Sequence, residues 1–239
     1  MLPEFRRAHW ESNFRFPDWY TRLEYELTTF IFPVVHDDAA TKAWRHQVYE
    51  LAGEMLERGE IPLATRGPDL DSERQPLDTI VIHHTEEDPA ISLATLSAIG
   101  LLRQYALHYL DDNVLESKVR GEPIWSGHFR QGQMVFFAYH WLIRPDGVAE
   151  RLLEDEAIGW HAGNWDINTR CIGIAFSGNY EHNTPPAIQI AAAAQIIKDS
   201  YPYVPQERIL GHCEVRANGT TCPGDRFLSE WKGQLLKQL

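Results

Sequence analysis

Side-chain types that bind borderline metal ions stand at three points of this sequence: the pair His83-His84, His212 and Cys222. The histidine pair closes the apolar run Ile80-Val81-Ile82, and His212 closes Ile209-Leu210-Gly211. Cys222 follows in a Cys-Pro-Gly turn. Adjacent residues of a strand point to opposite faces, so one member of the pair can reach a metal while the other packs or hydrogen-bonds. Zinc takes imidazole nitrogen and thiolate sulfur readily. Three protein ligands leave a fourth position for water, which is the pattern of catalytic rather than structural sites. Each residue also has a plainer role, Cys222 as a small buried apolar group and His212 as a hydrogen-bonded core histidine. Taken together, the strand-end placement and the Cys-Pro-Gly turn favour one zinc ion per chain.

These residues can meet only if a sheet gathers them. The pattern from Leu77 onward predicts one. The run 78–84 is rich in β-branched residues, and 92–110 reads as a helix with Ser92 as its N-cap. The stretch 111–134 reads as irregular. A strand is expected over 135–143, a turn at Pro145-Asp146-Gly147 and a paired strand over 148–151. A further strand is expected over 171–177, and a helix from Thr184-Pro185-Pro186 through Ile197. A last strand over 208–212 leads into a loop carrying Asn218-Gly219. Strands alternating with helices imply an α/β fold with a central mixed sheet flanked by helices. Before it, residues 1–76 read as a helical extension and linker. The clearest helix there is 41–60, with Trp44, Val48, Leu51, Ala52, Met55 and Leu56 on one face and Gly59 placed to end it. The expected division is therefore 1–76 and 77–239.

Composition excludes some classes of function. The 239 residues carry a formal net charge of −12, which repels nucleic acid phosphates. No window of about 18 apolar residues is present to cross a membrane, and the N-terminus lacks the apolar run of a secretory signal. Three cysteines are too few and odd in number for a disulfide framework, so a reducing, cytoplasmic setting is expected. Eight Trp and nine Tyr supply flat side chains suited to sugar faces as well as to cores.

The blocks IVIHHT, FFAYHWLIRPDG, GWHAGNWDINTRCIGIAFSGNY and ILGHCEV…TTCPGD, in that order, resemble those of the type 2 N-acetylmuramoyl-L-alanine amidases. That family includes phage amidases, intracellular muropeptide-recycling amidases and the peptidoglycan recognition proteins. The resemblance covers the chain from about Leu77 and leaves 1–76 uncovered. It implies that His83, His212 and Cys222 are zinc ligands. It also implies that Tyr139 lies beside the zinc and that His161 lines the substrate groove. Peptidoglycan or soluble muropeptides would be the partner. The scissile bond would be the amide between the muramic acid lactyl group and L-alanine.

Departures from the family pattern carry information too. Ala175 stands where recycling amidases have a glutamate, and Thr220 where phage and recycling enzymes have a lysine. The expected catalytic set is therefore Tyr139, His161 and Thr220, with His161 on a rim loop and titrated by acids such as Glu156. Tyr139 is expected on a strand face with Phe137 and Trp141. Trp160, Asn164 and Trp165 are the expected sugar and peptide contacts, and His84 and His140 are expected to be structural. Members that only bind peptidoglycan usually lack the cysteine ligand, so Cys222 favours an enzyme over a binding module. Without a signal, a released phage lysin or an effector is the alternative to a cytoplasmic enzyme.

Overall fold

The computed structural model describes residues 2–33, 39–111, 119–216 and 219–239. Asn218 of the expected loop and residues 112–118 of the irregular stretch lie outside them. The chain divides into two compact units, each discontinuous in sequence: residues 1–69 with 92–136, and 70–91 with 137–239.

The second unit is built on a five-stranded sheet. Its strands are β1 (Thr79–His84), β4 (Trp141–Ile143), β5 (Ala149–Arg151), β6 (Cys171–Phe176) and β7 (Ile209–Gly211), while β2 (Phe129–Arg130) and β3 (Gln133–Met134) form a separate hairpin in the first unit. The order is β5-β4-β6-β1-β7, parallel throughout except for the antiparallel β4–β5 edge. Every residue of β1 and β6 is buried, as expected for central parallel strands covered on both faces.

Alternation along these strands separates a core face from a site face. Ile80, Ile82, Ile172, Ile174 and Phe176 join a cluster with Ile190, Ala193, Ala194 and Ile197 of the helix Ala187–Ser200. Phe227, Trp231 and Leu235 close this cluster from the C-terminal segment. The other face of the same strands carries Val81, His83, Cys171, Gly173 and Ala175, with His83 opposite Ala175 in register.

Three elements differ from the sequence reading. The stretch 111–134, expected to be irregular, carries the β2–β3 hairpin at its end. The expected 135–143 strand is reduced to Trp141–Ile143, so Tyr139 is not on a strand face with Phe137 and Trp141. His140 accounts for the break. Its ring Nδ1 accepts the Gly173 N–H (3.0 Å), which a carbonyl of a continuing strand would otherwise take. At the other end, β7 stops at Gly211, and His212 opens the short helix His212–Val215. Glu214 accepts the Gly211 N–H at 2.8 Å and so fixes that turn.

In the first unit, the helix Ala39–Glu57 buries Trp44, Val48, Leu51, Ala52 and Met55, as the periodicity implies. Gly59 follows it at φ +65°, a left-handed conformation suited to glycine after a helix. Gly53 of this helix lies against the start of Leu93–Gly100, where an added Cβ would sit 3.0 Å from the Thr95 nitrogen. The Ser92 hydroxyl caps that second helix by accepting the Thr95 N–H at 3.0 Å. No described helix is long and apolar enough to cross a membrane.

Candidate metal centre

His83 ends β1 on the site face, His212 follows β7, and the C-terminal loop brings in Cys222. One candidate ligand atom from each lies within 4.8 Å of the others, and all three residues are buried. The His83 and His212 rings are 4.6 Å apart by centroid, and Cys222 Sγ is 3.7 Å from His83 Nδ1. Among the described residues His212 Nε2 is buried with no hydrogen-bond partner, an arrangement that costs free energy unless something binds there. Burial, then the neighbouring His212 and His161, hold His83 well below its ordinary pKa. Burial and Arg216 lower His212 to about 4, against an opposing hydrogen bond to the Ala162 backbone. Both rings are therefore neutral at physiological pH, as ligands must be. Burial raises the Cys222 thiol, a preference that a coordinated cation reverses. Two nitrogens, one sulfur and an orphaned lone pair fit a zinc ion, with no fourth His, Cys, Asp or Glu in the group among the described residues.

The Cys222 loop is braced by its own polar groups. Cys222 O accepts the Cys213 N–H (2.8 Å), and the half-buried Thr220 hydroxyl accepts the Cys222 N–H (3.2 Å). Thr221 donates to Glu181 at 2.9 Å. Thr220 thus supports the Cys222 loop directly.

His161 is buried rather than on the rim. Its Nδ1 lies 2.8 Å from His83 Nε2, and its Nε2 lies 3.4 Å from Cys171 Sγ. Its pKa is held well below the ordinary value by burial and by His140, His212 and Arg74, and Glu156 is not among the causes. The Asn168 amide oxygen accepts the N–H groups of His161 (3.3 Å) and Ala162 (2.9 Å), which sets the loop. Tyr139 is half-buried, its ring 5.0 Å from that of His83 and 5.9 Å from that of His161.

The remaining expected contacts separate by exposure. Trp160 is 8% exposed and Trp165 is 43% exposed, their rings 6.2 Å apart. Trp165 Nε1 donates to Glu73 at 2.7 Å. The Asn164 side chain caps the short helix Trp165–Asn168 by accepting the Ile167 N–H. Only Trp165 of the three offers a broad exposed face.

His140 and His84 serve the scaffold. His140 Nε2 lies 3.0 Å from the Ala157 carbonyl, and His84 Nδ1 accepts the Tyr180 N–H at 2.9 Å. His84 also forms a second group with Glu86 and Glu181, its Nε2 3.5 Å and 4.0 Å from their carboxylates. A neutral imidazole has one lone pair. With Nδ1 accepting from Tyr180, Nε2 carries the proton and has no lone pair to offer, so this group is not a ready metal site.

Sequence reasoning missed Asn168, Gly173 and the contact from Cys171. A signal was present in the alternation Cys171-x-Gly173-x-Ala175, small residues on one face of a strand, which marks a place where something bulky approaches. A Cβ at Gly173 would lie 2.7 Å from His161 Nε2.

Fold and site together define an α/β protein with a two-histidine, one-cysteine donor group at the carboxyl ends of parallel strands. The N-acetylmuramoyl-L-alanine amidase family profile matches residues 73–225, well over half of the chain, and the chain belongs to that family. It is 29% identical over 175 residues to a peptidoglycan-recognition protein of Drosophila melanogaster, covering 72% of this chain and 80% of that one. It is 27% identical over 154 residues to the 1,6-anhydro-N-acetylmuramyl-L-alanine amidase AmpD of Haemophilus influenzae, covering 61% and 81%. The solved amidase LysC of Clostridium intestinale aligns with TM-score 0.46 and 23% identity over 74% of this chain and 95% of that one.

Proposed function

We propose that this protein is a zinc-dependent amidase that hydrolyses the bond between the muramic acid lactyl group and L-alanine. The observation that carries this reading is the buried convergence of His83, His212 and Cys222, with His212 Nε2 unpartnered among the described residues. Zinc bound there would lower the pKa of a water from about 15.7 to about 7 and polarise the scissile carbonyl. The chain's own residues supply the rest. Tyr139, beside the His83 ring, donates its phenol proton to the developing oxyanion. Ala175 brings no carboxylate to the position opposite His83, so the proton of the attacking water would pass to solvent, as the lowering of its pKa to about 7 allows. Thr220 keeps the Cys222 loop in place through its hydroxyl, which accepts the Cys222 N–H. Trp165 presents the ring face for sugar or peptide, at the start of the short helix capped by Asn164 and beside the buried Trp160.

Purified protein should contain about one zinc per chain and release stem peptide from muropeptides. Retention of full activity by His212→Ala would overturn the reading. A binding module that does not cut is the second reading, favoured by the alanine at 175; fragment binding without any peptide release would establish it. Three free cysteines and the acidic charge support action on soluble muropeptides in a reducing compartment. Comparing intact sacculi with soluble fragments as substrates separates this from the role of a released lysin or effector.

A further inference from the structure

The metal ligands do not end the polar chain on the site face. His83 Nδ1 faces Cys222 Sγ at 3.7 Å, while its Nε2 meets His161 Nδ1 at 2.8 Å. The far side of the His161 ring meets Cys171 Sγ at 3.4 Å. All members of this row are buried, so each ring nitrogen must find its partner within the protein. Two proton orders satisfy the row. In one, Cys171 S–H donates to His161, His161 Nδ1–H donates to His83, and His83 is left with its proton on Nδ1. In the other, His83 Nε2–H donates to His161 Nδ1, and His161 Nε2–H donates to the Cys171 sulfur. Only the second order leaves a lone pair on His83 Nδ1, the nitrogen that faces Cys222.

We infer that His161 and Cys171 are positioning residues for the metal site, a histidine–thiol pair that holds the His83 ring in the orientation and tautomer that present Nδ1 to a cation. This inference rests on the ligand set proposed above. A ligating histidine ordinarily gives its second N–H to a carboxylate, a backbone carbonyl or water. Here the acceptor is a second imidazole, and a buried thiol rather than an acid terminates the row. Geometry supports a fixed ring rather than a passing contact. A Cβ at Gly173 would lie 2.7 to 2.9 Å from three atoms of the His161 ring, so the ring lies flush on the strand. Asn168 holds the His161 backbone N–H from the other side. His161 therefore reaches the reaction through His83.

The test uses the whole chain and reads the metal and the tautomer separately. Zinc affinity is measured by competition with a chromophoric chelator, and the His83 tautomer by nitrogen-15 correlation spectra of the zinc-loaded protein. His161→Ala should weaken zinc binding about 10- to 100-fold. His161→Gln, whose amide oxygen can still accept from His83 Nε2–H, should recover most of that loss. Cys171→Ala should give a smaller loss, and Cys171→Ser should restore it. Wild type should show the His83 proton on Nε2. Zinc binding unchanged in His161→Ala, or a His83 proton on Nδ1 in the zinc form, would overturn the inference while leaving the metal site standing. A wild-type protein that takes up no zinc would instead overturn the ligand reading itself. Should His161→Ala fail to fold, the comparison of His161→Gln with Cys171→Ala and Cys171→Ser still decides, because equal zinc affinity in all three and wild type contradicts the inference.

Discussion

At the scale of single residues, a group that touches the substrate should be separable from one that holds the site together. Tyr139 belongs to the first kind, a half-buried phenol 5.0 Å by ring centroid from a proposed ligand. Tyr139→Phe should lower kcat by about 10²- to 10³-fold, the usual loss of one oxyanion donor, with zinc content unchanged. Metal analysis beside a peptide-release assay checks both halves. Thr220 belongs to the second kind, because its oxygen accepts the Cys222 N–H. Thr220→Val keeps the shape and removes the acceptor, which should cost about 1 kcal/mol of local stability. Faster zinc loss to a chelator, with Thr220→Ser close to wild type, is the expected result. Equal zinc loss in Thr220→Val and wild type would reduce Thr220 to a bystander.

At the scale of elements, β6 decides what can lie over the sheet. Its core face carries Ile172, Ile174 and Phe176, and its site face only Cys171, Gly173 and Ala175. Gly173→Ala adds one methyl group where the His161 ring already lies, with nothing soft to yield except the ring itself. Overpacking of this kind costs about 1–3 kcal/mol, so the denaturation midpoint should fall while β6 remains paired. A variant as stable as wild type would mean that His161 does not pack on this strand. The same strand shows what was legible in advance. Its β-branched alternation, the strand before His83 and the strand before His212 follow from local pattern, and so do the helices capped by Ser92 and led by Pro186. Val135–His140 was not legible, because a β-like run is overridden by a side chain, His140, taking the Gly173 N–H. The burial of His161 was equally hidden. It depends on the absence of side chains at Gly173 and on Asn168, seven residues further along, neither of which a local pattern reports.

At the scale of the whole molecule, the parallel sheet has two chemically distinct ends. The carboxyl ends of β1 and β7 deliver His83 and His212, the end of parallel sheets where ligands ordinarily bind. The amino ends carry a charge clamp instead. Asp78, before β1, pairs with Arg170 before β6 and with Arg208 before β7, whose guanidinium also reaches the Thr79 hydroxyl. The Arg170 hydrogen bond, then those of Thr79 and Arg208, hold Asp78 well below the usual carboxylate range. A depressed carboxylate stabilises the fold above its unfolded pKa of about 3.9, and this stabilisation is lost as pH falls through the folded value. Asp78 is partly exposed, so solvent screening keeps the effect near 1 kcal/mol. His140 acts in a different window. Burial, then Arg74, lowers it to about 3, so the unfolded chain takes up a proton there first, and stability declines from about pH 6.5 downward. Acid unfolding should therefore proceed in two parts, a decline below about pH 6.5 and a further one below about pH 4. Asp78→Asn should flatten the lower part and leave the upper part in place. Denaturant midpoints measured from pH 8 to about pH 2 on both proteins decide this, and an unchanged lower slope in Asp78→Asn would show that the clamp does not couple the three strands.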